Sequence, residues 1–288
     1  MKKKFLRSAG VFMLLDATFL ILFGHRYVER TRFGSEGNPY YRLMSWFLQW
    51  PDWLLRLAGL AEAGLGLAVL GSAPLQVRSL YGRIAGAYSV IDTAWREWLY
   101  RDAHRQFDRA MAQSLPADGR VLDLGAGTGA NLGRLLALGL PFASYTGVDL
   151  TGEMLEQARQ KYGHLPNVHF RQLDLMSDAL PEGPYNLIVS TWALEHMPDP
   201  VHVVEKAWGE LQTGGHMVLL FEAEADNWYS RLEDGVLRFF SARQVREEEI
   251  RRFPGLQRRE SYDGAFGRLA LVVLEKKGEK GTVGEGVE

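Results

Sequence analysis

Residues 121–132 read VLDLGAGTGANL, an apolar run that meets three glycines at alternate positions and then a stretch of helical character. The run has the composition of a buried strand. A residue without a side chain permits both a tight strand-to-helix turn and close approach of the backbone to a ligand. Gly125, Gly127 and Gly129 therefore mark a small-molecule site. With Ala130 in the last place, the same letters fit the G-x-G-x-x-G/A pattern of dinucleotide sites, so the glycines alone leave the ligand open.

Outward from this loop the chain alternates. Strand-like runs stand at 120–125, 144–150, 168–174, 185–191, 215–221 and 268–275, and helical segments separate most of them. Residues 81–111 have helical periodicity; Thr151 can cap a helix over 152–163, Asp199 followed by Pro200 opens one running to Gln212, and Ser241 can cap one over 242–253. Such alternation predicts an α/β fold, a parallel sheet with helices on both faces, whose ligands lie beyond the carboxyl ends of the strands.

Composition narrows the chemistry. The 288 residues are 47% hydrophobic, enough for one sizeable α/β domain and an accessory segment, and the formal charge of -2 exerts no general pull on nucleic acid. No basic patch accompanies the glycine loop, so no nucleic-acid partner is expected. Cysteine is absent, which excludes disulfides, thiolate nucleophiles and cysteine-ligated metal centres and suits a cytosolic active site. His104, His164, His169, His202 and His216 are scattered without metal-ligand spacing, and no metal is predicted.

Four successive strands deliver polar groups to one edge. The first ends in Asp123 and the glycines, the second in Asp149, the third in Asp174, and the fourth runs into Thr191, Trp192, Ala193, Leu194, Glu195 and His196. A carboxylate at the end of the second strand can accept two hydrogen bonds from a ribose diol, whichever adenosine-containing cofactor is bound. Asp174 can accept from an adenine amine, with the Leu175 backbone in reach of a ring nitrogen. Asp123, two residues before the first glycine, suits a cationic amino-acid tail and would be repelled by a pyrophosphate, and no Lys or Arg occurs between Arg120 and Arg134. The loop is thus expected to prefer S-adenosylmethionine, with a nicotinamide-dependent oxidoreductase as the runner-up.

The first 75 residues differ. Met1 to Arg7 carries four positive charges, and residues 8–24 (SAGVFMLLDATFLILFG) are apolar apart from Ser8, Asp16 and Thr18. A helix of that length would reach roughly 26 Å, and an aspartate at its middle would cost about 2.5 to 3.5 kcal/mol on insertion. HRYVERTR follows, unlike a signal-peptide cleavage site. A second apolar stretch, residues 54–73, contains Arg56 and Glu62, and Trp46, Trp50 and Trp53 lie between the two. A two-span hairpin would send Arg26, Arg30, Arg32 and Arg42 outward, against the positive-inside tendency; a monotopic arrangement in the cytoplasmic leaflet accommodates both the tryptophans and the arginines. A third possibility is a helical cap that never meets lipid. The chain is therefore read as an apolar helical membrane-associating segment over 1–75, an α/β domain over 76–275 and a disordered tail over 276–288.

From Tyr81 to about Phe221 the chain resembles the class I S-adenosylmethionine-dependent methyltransferases, most closely the ubiquinone and menaquinone C-methyltransferases and the bacterial phosphatidylethanolamine N-methyltransferases. VLDLGAGTG, GVDLTGEMLEQAR, QLDLMSDALP and YNLIVSTWALEHMPDP match four successive motifs of that family, and LQTGGHMVLL the entry to its fifth strand. The resemblance implies a seven-stranded doubly wound, Rossmann-like sheet in the order 3-2-1-4-5-7-6, with the last two strands at about 256–262 and 268–275 and the seventh antiparallel. It implies cofactor contacts from Tyr81, Asp123, Gly125, Ala126, Gly127, Gly129, Asp149, Leu150, Met154, Asp174, Leu175, Thr191 and Trp192, with Tyr81 and Tyr88 on a helix that covers the cofactor. The apolar first segment departs from the quinone-type pattern.

Methyl transfer from a sulfonium is an in-line displacement that depends mainly on alignment. His196 and Tyr88 are the candidate catalytic residues; His196 could take the acceptor's proton or only brace its loop, and Glu195 could orient it or hold the donor's amino group. Residues 222–240, with Trp228, Tyr229, Phe239 and Phe240, could form a lid, line a pocket or belong to the core. A membrane-associating segment joined to such a domain favours a lipid-type amphiphilic acceptor, either a phospholipid headgroup amine or an isoprenoid quinone. Soluble small molecules, membrane proteins and a non-catalytic interaction role remain the alternatives.

Overall fold

A computed structural model describes residues 2–32, 39–70, 100–225, 242–264 and 267–278, and the chain divides into two compact units, Met1–Pro74 and Leu75–Glu288.

The first unit contains helices α1 (Lys2–Phe23), α2 (His25–Thr31), α3 (Pro39–Phe47) and α4 (Asp52–Leu70). Helices α1 and α4 approach closely where Gly59 lacks a side chain: a Cβ there would stand 2.9 Å from the Ile21 side chain and 3.0 Å from the Ala17 carbonyl oxygen. The polar residues of the two apolar stretches are used within the unit. The Arg56 guanidinium donates to the Ile21 and Leu22 carbonyls at 2.7 and 3.0 Å, satisfying groups that the end of α1 leaves open. It also binds Asp52 at 2.7 Å, and Asp52 in turn accepts the His25 backbone N–H at 2.9 Å. Asp16 accepts from the Tyr27 hydroxyl. Burial, and then the neighbouring Asp16, push the Glu62 carboxyl up to about 7. Among the described residues, no helix is long and apolar enough to cross a membrane.

In the second unit, helix α5 (Arg101–Ser114) precedes strand β1 (Arg120–Leu124), α6 (Ala130–Ala137), β2 (Ser144–Asp149), α7 (Gly152–Tyr162), β3 (Val168–Gln172), β4 (Tyr185–Thr191), α8 (Pro200–Glu210), β5 (Leu211–Ala223), α9 (Glu247–Arg251), β6 (Leu256–Gly264) and β7 (Gly267–Glu275). The seven strands form one sheet in the order β3-β2-β1-β4-β5-β7-β6, with β7 antiparallel to both neighbours and the remaining pairs parallel. The order and the antiparallel seventh strand are those expected from the sequence.

Alternate residues of the central strands enter separate cores, as the period of two requires. Leu122, Leu124, Ile188, Leu219 and Phe221 join Val201, Val204 and Ala207 of α8 on one face. Val121, Leu187, Val189, Val218 and Leu220 join Phe107 and Met111 of α5 and Leu132 and Leu135 of α6 on the other. Both faces being covered, the central strands are apolar throughout. Ser190 donates to the Leu124 carbonyl at 2.9 Å, tying the ends of β1 and β4 where the glycine loop begins.

Three local expectations are corrected. The helix expected over 242–253 is confined to Glu247–Arg251, with Ser241 outside the described residues. Val245 instead bridges Ala223 in extended conformation, while Arg246 precedes the helix and its N–H donates to Glu249 at 2.8 Å. Thr151 stands at the N-cap of α7, but its side chain does not cap the helix; its backbone N–H is taken by Asp149 at 2.8 Å. The expected disordered tail does not begin at residue 276, because the Lys276 ammonium donates to the Trp208 and Leu211 carbonyls at 2.9 and 2.6 Å and its backbone N–H to Gly215 at 3.0 Å. Residues 279–288 lie outside the described residues.

Leu122, fully buried in β1, belongs to the core that includes Val201, Val204 and Ala207 of α8. Leu122→Ala should lower unfolding free energy by about 2–5 kcal/mol, read from urea denaturation monitored by circular dichroism.

Candidate functional site

The glycine loop is held by the end of the adjacent strand. The N–H groups of Gly125 and Ala126 both donate to the Val148 carbonyl at 2.9 Å, and that of Gly127 donates to Asp149 Oδ2 at 2.9 Å. Gly125 lies at φ 75°, where a side chain would be strained, and a Cβ on it would stand 2.4 Å from Ala193 Cβ. At Gly127 the nearest side-chain atom to an added Cβ is the Met154 methyl carbon at 3.5 Å, so the absent side chain leaves room beside the loop. Ala126 and Met154 are themselves buried.

These bonds bear on the ligand. A pyrophosphate on a glycine loop needs free backbone N–H groups. Here three successive N–H groups are already engaged, and Asp149 is one of their partners. The Asp149 carboxylate accepts from Gly127 and Thr151 and so stands fixed at the carboxyl end of β2; burial pushes its pKa upward. An adenosine-containing cofactor without a pyrophosphate fits this arrangement, as S-adenosylmethionine does.

Asp123 is engaged within the protein. It is fully buried behind the loop, with Oδ1 accepting from Asn131 Nδ2 at 2.9 Å and Oδ2 accepting from the Tyr145 hydroxyl. Burial raises its pKa to about 6, against the pull of those two donors. In this structure its carboxylate braces β1, β2 and the start of α6, leaving Asp149 as the acid at the loop backbone. Asn131 and Tyr145 were not singled out from sequence. The signal is in the register: Asp123 stands opposite Gly147, two residues from Tyr145 on the neighbouring strand.

At β3, Asp174 is half-buried and closes a turn, Oδ1 accepting from the Met176 N–H at 2.8 Å while its own N–H donates to Asp178. The buried Leu175 has its carbonyl bound by Lys206 at 2.5 Å, and the Leu150 carbonyl accepts from Gln172 at 2.9 Å. After β4 the chain turns sharply at Trp192, with φ 57°, into a short 3-10 helix over Leu194–His196. Thr191 donates to Asn131 at 3.3 Å, which links this turn to the brace around Asp123. His196 is half-buried beside Glu195. Glu195 is 4% exposed and its Oε2 has no hydrogen-bond partner; burial raises its pKa to about 8, so the group is neutral at pH 7.

Asp123, Asp149, Asp174 and the 191–196 turn therefore all occur at the carboxyl ends of β1 to β4. Tyr81 and Tyr88 lie outside the described residues, as do Trp228, Tyr229, Phe239 and Phe240. A charged cavity of about 400 Å³ opens at β6 and β7, but its arginines already face carboxylates: Arg251 and Arg259 meet Glu247, and Arg268 meets Asp263.

Glu195 makes a signed pH prediction. Its folded pKa lies above the ordinary 4.5, so the folded state holds a proton that the unfolded state has released between those values. Relative to Glu195→Gln, the wild type should lose melting temperature progressively from about pH 5 to about pH 8 and show no further divergence above that. Parallel melting profiles for the two proteins would contradict the neutral acid.

Comparison with known proteins agrees with this geometry. Residues 121–215 match the family described as methyltransferase domain. Over 113 residues the chain is 33% identical to trans-aconitate 2-methyltransferase of Deinococcus radiodurans, covering 39% of this chain and 42% of that one. It is 31% identical over 109 residues to phosphatidylethanolamine N-methyltransferase of Cereibacter sphaeroides, covering 35% and 50%. The matches thus span about half or less of these curated relatives' length. A solved chain from the Haloferax volcanii complex of the Trm112 methyltransferase activator with a methyltransferase has the same fold, with a TM-score of 0.53 at 19% identity over 69% of this chain and 98% of that one. The sheet order and the matched segment agree: the second unit has the seven-stranded fold of the class I S-adenosylmethionine-dependent methyltransferases, and residues 121–215 match a methyltransferase domain.

Proposed function

We propose that this protein transfers a methyl group from S-adenosylmethionine to an amphiphilic acceptor at the cytoplasmic face of a membrane, the acceptor being a phospholipid headgroup amine or an isoprenoid quinone. The observation that carries the membrane part is the distribution of exposed apolar side chains. Leu43, Trp46, Trp53, Leu57 and Leu60, all on or beside α3 and α4, are 46–62% exposed. Trp53, Leu57 and Leu60 follow the i, i+4, i+7 spacing of one helix stripe. Clustered exposed apolar groups mark an interaction surface, and tryptophan favours the headgroup level of a bilayer. Exposed Arg26, Arg30 and Arg42 outnumber the exposed Glu29 nearby in sequence, a balance suited to anionic lipid. The unit would lie on the leaflet rather than cross it.

When bound, S-adenosylmethionine supplies a methyl group activated by its sulfonium charge. The protein's task is then to hold and align. In this reading Asp149 accepts from the ribose hydroxyls, Asp174 and the Leu175 backbone receive the adenine, and the glycine loop accommodates the amino-acid tail. An ammonium or quinol acceptor must also lose a proton. His196, half-buried at the β4 turn, is the residue proposed to receive it, because the neighbouring Glu195 already carries a proton at neutral pH. The two curated relatives are named for different acceptors, so the lipid reading rests on the first unit and not on them.

Full-length protein incubated with methyl-labelled S-adenosylmethionine and a total lipid extract should place label in a methylated phosphatidylethanolamine or a methylated quinone. Intact cofactor binding with no label in any lipid would reject the lipid acceptor. Trp53→Ser combined with Leu57→Ser should weaken binding to anionic vesicles by about tenfold or more, since each lost apolar side chain is worth of order 1 kcal/mol or more, without changing cofactor affinity. Gly125→Ala, by contrast, should weaken cofactor binding by about tenfold or more in calorimetry while leaving vesicle binding unchanged, because its Cβ collides with Ala193.

A further inference from the structure

Trp192 is the one non-glycine residue with positive φ among the described residues, and a bulky side chain at φ 57° costs about 1–3 kcal/mol unless its surroundings hold it there. The turn it makes serves the site on both sides. Thr191 before it meets Asn131 at 3.3 Å, and Ala193 after it occupies the space that a side chain on Gly125 would need. What holds Trp192 is therefore part of what shapes the glycine loop.

Two supports are visible. The Trp192 N–H donates to the Leu220 carbonyl at 3.1 Å. The indole ring also lies 6.1 Å from Tyr100 and 6.2 Å from His104, centroid to centroid. His104 is 2% exposed and fixed from α6: its Nδ1 is 2.8 Å from Arg134 Nη2, while Arg134 Nη1 binds Asp108 at 2.9 Å and the guanidinium lies 5.6 Å from the Phe107 ring centre. A guanidinium can only donate, so His104 Nδ1 must present a lone pair and the imidazole must be neutral. A second proton would put an N–H on Nδ1 facing another donor and a positive charge.

We propose that His104 is a positioning residue for the methyl-donor site: as the neutral acceptor of Arg134 it supports the Trp192 ring, and through it the turn that packs on the glycine loop. The inference rests on the reading of that loop as the S-adenosylmethionine site. Among the described residues, the charged group against the imidazole is Arg134 from α6, with Asp108 behind it.

The test is calorimetric titration of S-adenosylmethionine into the full chain near pH 7.5, for wild type, His104→Asn, His104→Phe and His104→Ala, with the melting temperature of each. Asparagine offers an acceptor near the place of Nδ1, whereas phenylalanine keeps a ring without one. His104→Asn should stay within about threefold of wild type, and His104→Phe and His104→Ala should each be about tenfold weaker. Should the alanine variant not fold, the asparagine and phenylalanine variants decide. Phenylalanine or alanine variants that bind as wild type does, or an asparagine variant as weak as they are, overturn the brace alone. Wild type that binds no S-adenosylmethionine overturns the donor reading, and the brace with it.

Discussion

The Val148 carbonyl accepts two N–H groups at once, from Gly125 and Ala126, and the next residue, Asp149, accepts the third, from Gly127. These bonds require β1 and β2 to lie parallel in the register that sets Asp123 opposite Gly147. They require a loop whose first residue can take positive φ without a side chain striking Ala193. They also decide what the loop can hold, because N–H groups consumed by the neighbouring strand are not available to phosphate. The acid at the strand end is then a structural acceptor as well as the group proposed to hold a ribose. Buried polar groups of this kind must be satisfied, so the site is built before any ligand arrives.

The sheet was legible from sequence because its strands are buried on both faces and read as short apolar runs between helical segments. The acids at the strand ends were legible for the same reason, since a polar residue closing an apolar run stands out. The enclosure of Asp123 was not. It depends on Tyr145 reaching across from β2, and cross-strand neighbours are set by register, which no local pattern reveals. The stretch from Ala242 to Phe253 misled for a different reason. Its periodicity is helical, yet Val245 is drawn into an extended bridge with Ala223, and Arg243 bonds to Glu249 and to the Met197 and Pro198 carbonyls. Tertiary bonds to the β4 turn outweigh the few tenths of a kcal/mol per residue by which ordinary residues differ in helix propensity.

The first unit shows how length and apolarity can be poor guides to a membrane span. Asp16, Arg56 and Glu62 would be costly in hydrocarbon, and each instead has a local use. Arg56 satisfies the carbonyls at the end of α1, Asp16 accepts from Tyr27, and Glu62 can retain a proton beside Asp16. The apolar residues are similarly divided: Leu14, Ala17 and Leu55 are buried within the unit, whereas Trp53, Leu57 and Leu60 face outward along one stripe. That division is the amphipathicity of a surface helix. A uniformly apolar rod would have no reason to bury one face and expose the other.

Relatives named for a small carboxylic acid and for a phospholipid match similar shares of this chain, 39% and 35%. The matched family segment, residues 121–215, includes the glycine loop, Asp149, Asp174 and the β4 turn. The division follows from the chemistry. A sulfonium methyl donor is the same molecule for every acceptor, so the residues that hold and orient it can remain alike while acceptors change. Acceptor choice must then come from groups outside that segment, where binding energy can favour one nucleophile's shape and polarity over another. Under the membrane-surface proposal those groups include the exposed stripe of α4. Its contribution to choice need not involve touching the reacting atom at all: a surface that concentrates the enzyme where amphiphiles are dense raises their local concentration over that of any soluble competitor.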